Sequence, residues 1–190
     1  MSVGQPLRKR ADMEFDGNQS DLDGLFAATY EELRRLAASV RRHDPSATLT
    51  PTALVNEAWL KLAGSPELGA LPQLHFKRVA ARAMRQVLVE AARRRHAAKR
   101  GGPRAAFVTL DEAIAGSITT EAEIVGLDQA LEALAAISPR QASMVEARFF
   151  GGLEIAETAE LLGVSEATVE RDWRAAKAWL AKTMRAERGR

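Results

Sequence analysis

The stretch LLGVSEATVERDW, residues 161–173, predicts two helices joined by a very short turn. The first helix ends at Gly163, and the second begins after Ser165. Two helices that meet this closely need a small residue at their contact and a residue that tolerates the left-handed conformation at the turn. Ala159 and Gly163 supply them. The stretch therefore predicts a helix-turn-helix.

The second helix of this motif has one apolar side and one outward side. The apolar residues recur at helical spacing and are predicted to be buried: Val169, Trp173, Ala176 and Leu180. The outward side is a candidate for reading DNA, because an arginine can bind guanine or a phosphate and a hydroxyl can donate to a phosphate. The candidates are Ser165, Glu166, Ala167, Thr168, Glu170, Arg171 and Arg174. The alternative is a helical hairpin with a solvated charged face, which the two glutamates favour because they repel phosphate.

Two helices are predicted in the first third of the chain. Apolar residues at helical spacing indicate a helix over residues 21–40. Thr50 is suited to cap a second helix and Pro51 to occupy its first position, and Gly64 is suited to end it. An ordered loop rich in glycine and proline then follows.

The remaining patterns are also helical. An alanine- and arginine-rich helix is expected from His75 to about Lys99, where RGGP ends it. A leucine stripe marks the next helix, a capping box between Ser138 and Gln141 begins another, and short glycine-bounded helices complete the chain. No strand is required, so we predict an all-α protein with two small helical domains joined by a flexible linker.

The composition excludes several classes of protein. The chain has 190 residues, of which 46% are hydrophobic, enough to fold without disulfides. It has no cysteine and three scattered histidines, so we expect no metal site and no cofactor. No apolar run reaches the roughly 20 residues needed to cross a membrane. We therefore expect a cytoplasmic protein, with a flexible arm at residues 1–19.

The charges are segregated along the chain, although the net charge is only +2. Residues 75–104 are rich in lysine and arginine and contain Glu90 as their one acid, whereas residues 109–128 contain acids and neither lysine nor arginine. This pattern predicts domains at 20–100 and 123–186 with a linker at 101–122. The basic helix is either a surface for a polyanion or a solvated face.

Three segments, in order, resemble one family. FKRVAARAMRQVLVEAARRR, residues 76–95, resembles the promoter-melting segment of bacterial sigma-70-type factors of the extracytoplasmic function (ECF) group. LVNEAWLKL, residues 54–62, resembles the preceding helix, which binds core polymerase. GLEIAETAELLGVSEATVERDWRAAKAWL, residues 152–180, is similar to the C-terminal helix-turn-helix of that group.

The resemblance implies a transcription initiation factor that binds promoter DNA and core RNA polymerase, the latter through its β′ clamp and β flap. The C-terminal domain would read the minus-35 element. Residues on and beside the basic helix would recognise and melt the minus-10 element: Gln73, His75, Phe76, Lys77, Arg78, Arg82, Arg85, Gln86 and Arg93. On the preceding helix Asn56, Glu57 and Lys61 are the expected polymerase contacts, and Trp59 is expected in the core. The sequence leaves open whether an anti-sigma factor binds.

Two residues depart from the family pattern. Val79 replaces the usual tryptophan of the melting helix, and Gln86 replaces the usual asparagine that helps to hold a flipped base. Valine cannot stack on a base as an indole can, so melting would depend on the arginines or on Phe76. Gln86 retains the amide, one methylene further from the backbone. The departures bear on which minus-10 sequence is read.

Other functions remain possible from the sequence alone. A stand-alone helix-turn-helix regulator would use the C-terminal domain but leave the basic helix unexplained. An enzyme with a DNA-binding tail is disfavoured, since the chain contains no glycine-rich phosphate loop, nucleophile elbow or metal cluster. The linker acids either mimic nucleic acid in polymerase channels or form a soluble tether: Asp111, Glu112, Glu121 and Glu123.

Overall fold

The computed structural model describes residues 7–40, 49–98 and 121–188. These residues form seven α-helices and one 3-10 helix without any strand, as the all-α prediction requires. Most of the predicted linker, with Asp111 and Glu112, lies outside the described residues. The elements are α1 (Leu7–Val40), α2 (Pro51–Leu62), the 3-10 helix (Pro66–Ala70), α3 (Gln73–Ala98), α4 (Glu121–Ile137), α5 (Pro139–Phe149), α6 (Ile155–Leu162) and α7 (Glu166–Arg188).

The ends of the first two helices agree only in part with the ends predicted from the sequence. α1 begins at Leu7 and not near residue 21, so it covers most of the segment interpreted as an arm. Gly17 lies inside it, but one glycine disfavours a helix by only about 1 kcal/mol and does not end it. Thr50 caps α2 as predicted, because its Oγ1 accepts a 3.1 Å hydrogen bond from the Ala53 N–H. α2 ends at Leu62, two residues before the glycine expected to end it.

The capping box predicted at Ser138 is wrong. Ser138 precedes α5, but its hydroxyl accepts no hydrogen bond from the first turn. Its ψ of 86° differs from the 160° of Thr50, which does cap its helix. A reciprocal cap instead begins α6, where Glu157 Oε2 accepts a 2.9 Å hydrogen bond from the Glu154 N–H. Two glutamates perform the role that the usual pattern assigns to a serine or threonine and a glutamate.

One hydrophobic core runs through both halves of the described chain. We call residues 7–98 the N-terminal module and residues 121–188 the C-terminal module. In the first, α1 packs against α2, α3 and the 3-10 helix; in the second, α7 packs against α4, α5 and α6. α3 also packs against α4, α5 and α6, so the modules are in contact. The predicted leucine stripe of α4 is buried at 1% exposure: Leu127, Leu131 and Leu134.

Glycine is required at position 152, in the turn between α5 and α6, for both its backbone conformation and its small size. Its φ is +64°, and a Cβ at this position would clash with the side chain of Leu36 on α1. We expect Gly152→Ala to lower the free energy of unfolding by about 2–3 kcal/mol through strain and overpacking. Gly163→Ala is the matched control, because φ is +63° there but the added Cβ meets no atom within 4 Å. Urea denaturation would measure both, and equal losses would contradict a role for the Leu36 contact.

Candidate nucleic-acid interface

The turn predicted between the last two helices is observed, with three residues between α6 and α7. Gly163 has φ 63° and ψ 39°, the left-handed conformation expected of it. The Val164 N–H donates to the Ala159 carbonyl at 3.0 Å, and Ala159 is only 7% exposed. Ser165 Oγ accepts a 3.3 Å hydrogen bond from the Thr168 N–H and lies 2.9 Å from Thr168 Oγ1. Both hydroxyls therefore stabilise the start of α7.

α7 has the buried and exposed sides that its periodicity predicts. Val169, Ala176 and Leu180 are at most 1% exposed. Trp173 is only partly buried, and the guanidinium carbon of Arg148 lies 4.5 Å from its ring centroid, in a cation–π contact. Each predicted outward residue is exposed: Glu166, Ala167, Glu170, Arg171 and Arg174. The exposed side can therefore meet a ligand without any change in the helix.

The residues predicted to melt DNA lie in three different environments on α3. Four are exposed: Gln73, Arg82, Gln86 and Arg93. His75 and Arg78 are half-buried, and the buried Nδ1 of His75 has no hydrogen-bond partner among the described residues. The other three are largely buried: Phe76, Lys77 and Arg85. Only four of the nine predicted residues are therefore exposed, and they are separated along α3 by buried or half-buried members of the set.

Phe76 is buried, whereas a base-stacking residue needs an exposed ring. Its side chain is 0% exposed and belongs to the hydrophobic core. Ala80, Met84 and Val87 follow it at helical spacing, and each is at most 2% exposed. Phe76 therefore begins the apolar stripe of α3, and a base cannot reach its ring in this arrangement.

Arg85 lies at the contact between α3 and the C-terminal module. Its Nη2 lies 2.7 Å from Asp128 Oδ1 on α4, and its Nη1 lies 3.1 Å from Glu146 Oε1 on α5. Arg93 Nη2 lies 3.0 Å from the other oxygen of Asp128. The three side chains of the inner cluster, Arg85, Asp128 and Glu146, are at most 15% exposed. Sequence reasoning missed both carboxylates, because their partner lies more than forty residues away along the chain.

Lys77 forms a second contact between the modules. Its Nζ lies 2.8 Å from Glu32 Oε1 on α1 and 3.2 Å from Glu157 Oε1 on α6. Burial disfavours the charge of Lys77, but hydrogen bonds to both carboxylates outweigh it and raise the pKa of the amine. For Glu157, burial by itself would raise the pKa of the carboxyl group. Hydrogen bonds from the Glu154 N–H and from Lys77 outweigh burial and lower this pKa. Both Lys77 and Glu157 therefore stay charged near neutral pH.

A cavity of about 260 Å³ lies between α3, α4 and α5. Arg82 and Gln86 line it from the N-terminal module, and Glu132 and Ser143 line it from the C-terminal module. Arg82 and Gln86 are also exposed, so they border both the cavity and solvent. These two residues are therefore the most accessible of the predicted melting residues near the middle of α3.

The predicted polymerase-contact helix has a mixed exposed face. Asn56, Glu57 and Lys61 are all exposed, and Lys61 Nζ also lies 2.9 Å from Glu90 Oε1 on α3. Leu60 is 74% exposed, which sequence reasoning missed. The available signal was its position, two residues from both Ala58 and Leu62 of the buried stripe and so on the opposite side of α2. A single exposed leucine is normal on a protein surface, so the contact role of α2 rests on the resemblance and not on Leu60.

Trp59 is partly buried and packs against the core. Its ring stacks on that of Phe26 from α1, with centroids 4.3 Å apart and planes inclined by 22°. Phe26 in turn meets Tyr30 edge to face. This aromatic cluster fixes α2 against α1, in agreement with the expected structural role of Trp59.

Within residues 7–40, 49–98 and 121–188 no group of three or more His, Cys, Asp or Glu residues could hold a metal ion. None of the helices in the described ranges is long and apolar enough to span a membrane.

Comparison with known proteins gave one match. A family model described as "ECF sigma factor" matches residues 12–186, which include almost all of both modules. No curated protein and no solved structure matches the chain.

Proposed function

Since the chain belongs to the ECF sigma factor family, we propose that it binds core RNA polymerase and directs it to a specific set of promoters. The family acts in transcription initiation and is not enzymatic. The single observation that carries the proposal is the match over residues 12–186, which covers the basic helix α3 and the helix pair α6–α7 in one chain. A regulator that used only the helix pair would not need α3.

Each module has a distinct role in this proposal. The exposed side of α7 reads the minus-35 element, and exposed residues of α3 recognise and melt the minus-10 element. α2 contacts the β′ clamp of the polymerase, and the C-terminal module contacts the β flap. The protein acts in the cytoplasm, and an anti-sigma factor is a further partner of the kind that family members often bind.

Run-off transcription tests the proposal directly. The purified chain is added to core RNA polymerase on genomic fragments, and the start sites are mapped. We expect discrete products that require the chain, with shared sequence motifs upstream of their starts. Gel shifts with and without core polymerase distinguish a sigma factor from a stand-alone regulator. Tight, sequence-specific DNA binding by the free chain, unchanged by core, would favour the regulator.

Leu60→Ala is expected to weaken binding to core polymerase about tenfold without destabilising the fold. Leu60 is 74% exposed and therefore contributes little to the core of the chain, whereas its burial against a partner would contribute roughly 1.5–3 kcal/mol. Glu67→Ala, at another exposed position of the N-terminal module, is the control and should bind core normally. Fluorescence anisotropy with labelled chain measures both affinities, and unchanged binding by the leucine variant would remove Leu60 from the interface.

Arg171→Ala and Arg174→Ala are expected to weaken recognition of the upstream promoter element. Both residues are exposed on α7, so their loss should leave the buried stripe intact. Loss of a bidentate base contact should cost about 1–3 kcal/mol at one base position, whereas loss of a phosphate contact should weaken all sequences alike. Transcription from native and scrambled minus-35 elements distinguishes the two cases. Wild-type activity of both variants on each template would exclude this side of α7 as the reader.

A further inference from the structure

The outward side of α7 carries two carboxylates, which would repel the phosphates of a bound DNA. Glu166 and Glu170 are both exposed and lie four residues apart, so they occupy the same side of the helix. Like charges at this spacing also disfavour the helix itself. Neither phosphate binding nor pairing between the two residues therefore explains why glutamates lie on this side of α7.

Glu166 has a structural role, because it lies in the first turn of α7, where the partial positive charge at the start of a helix stabilises a carboxylate. Glu170 lies one turn further on, beyond this effect. In the described part of the chain its carboxylate forms no ion pair with either neighbouring arginine. Arg171 Nε lies 3.9 Å from Asp172 Oδ1. Arg174 Nε donates instead to the Glu170 backbone carbonyl, at 3.4 Å.

The chemistry of the major groove restricts what the Glu170 carboxylate can bind there. A carboxylate only accepts hydrogen bonds, and the base donors in the major groove are the N4 amino group of cytosine and the N6 amino group of adenine. In adenine the N7 acceptor lies beside the amino group, and its lone pair repels a carboxylate. In cytosine a C–H group lies there instead. Cytosine is therefore the base that a glutamate on this side of α7 would select.

We infer that Glu170 is a specificity-determining residue, which accepts a hydrogen bond from the N4 amino group of a cytosine in the minus-35 element. The inference rests on the proposed function, in which the exposed side of α7 reads this element. Glu170 lies in the second turn of α7, and a helix-turn-helix contacts base edges through the N-terminal part of its second helix. Because the carboxylate is repelled by phosphates whatever the sequence, the contact discriminates among bases more than it adds affinity.

The test uses the full chain with core polymerase and a promoter found by run-off transcription, in which the minus-35 element is randomised. DNA that the polymerase complex retains is sequenced for wild type, Glu170→Gln and Glu170→Ala. Glutamine has nearly the shape of glutamate but can bind adenine through the N6 and N7 atoms of the base. The control is Glu132→Gln, which removes the same charge from an exposed position of α4.

We expect wild type and the control to select cytosine at one position of the element. At that position Glu170→Gln should select adenine, whereas Glu170→Ala should accept all four bases. In both variants the preference for cytosine should fall about tenfold, as expected for the loss of one base contact. The other positions of the element should be unchanged, because the variants differ from wild type at one exposed side chain.

A chemically altered base tests the same contact in the wild-type chain. N4-methylcytosine still pairs with guanine, but a methyl group replaces the amino hydrogen that faces the major groove. The wild-type complex should bind a promoter with this base about tenfold more weakly than the unmodified promoter. The Glu170→Ala complex should bind both promoters equally, because alanine does not contact the amino group.

A cytosine preference that Glu170→Gln retains in full would overturn the inference and leave the proposed function intact. So would wild-type binding that the methyl group does not alter. Equal weakening of wild type and Glu170→Ala by the methyl group would also overturn it, because the effect would then be steric. If the wild-type chain with core polymerase selects no sequence at all, the proposed function fails together with this inference.

Discussion

Phe76→Ala is expected to lower the free energy of unfolding by about 3–5 kcal/mol. The ring is 0% exposed and is among the largest fully buried side chains of the described chain. Truncation would remove its apolar burial and leave a cavity in a core that both modules share. Urea denaturation followed by far-ultraviolet circular dichroism measures the loss. An unchanged unfolding midpoint would contradict the buried position.

Phe76→Leu provides the matched control for this result. Leucine keeps most of the apolar volume, so the loss of stability should be much smaller. It removes the aromatic face, however, so a stacking role would appear as a defect in promoter opening despite a stable fold. We expect Phe76→Leu to open promoters as wild type does. A stable leucine variant that fails to open them would restore Phe76 to the melting surface.

The helices could be predicted from the sequence because their signals are local. Thr50 and Pro51 mark the start of α2, and Gly163 adopts the left-handed turn expected of it. The α7 stripe is also local, since its spacing alone separates Val169 from the exposed Arg171. Where a local signal was absent or ambiguous, the prediction failed: Ser138 has the right residue type but the wrong backbone for a cap.

The environment of α3 could not be predicted, because it depends on contacts between distant segments. The sequence shows that α3 is basic, but not that Arg85 meets acids of α4 and α5. Composition also does not show whether a phenylalanine at the start of a basic helix is exposed or belongs to the buried stripe of that helix. The resemblance assigned Phe76 by position in the motif, whereas the packing of α3 against the core determines its exposure.

The second large effect is expected from Arg82→Ala and Gln86→Ala, which should each reduce opening of a duplex promoter about tenfold or more. Both residues are exposed on α3, and neither belongs to the ion pairs that join Lys77, Arg85 and Arg93 to the C-terminal module. Each can contact a phosphate or an unpaired base, and one such contact contributes on the order of 1–3 kcal/mol. Binding to core polymerase should be unchanged, since the proposed contact with the clamp lies on α2. Arg94→Ala is the control, because Arg94 is an exposed arginine of α3 outside the predicted melting set.

A promoter already mismatched over the minus-10 element separates a melting defect from a binding defect. Such a template removes the unpairing energy, which is a few kcal/mol, so it should partly restore the activity of a variant whose defect is melting. Permanganate reactivity of unpaired thymines and run-off product are measured on duplex and pre-opened templates. Loss of polymerase binding, or duplex opening equal to that of wild type, would show that these residues do not melt promoters. Because Gln86 differs from the family's usual asparagine, rescue of its alanine variant would show that a glutamine amide can serve on the melting surface.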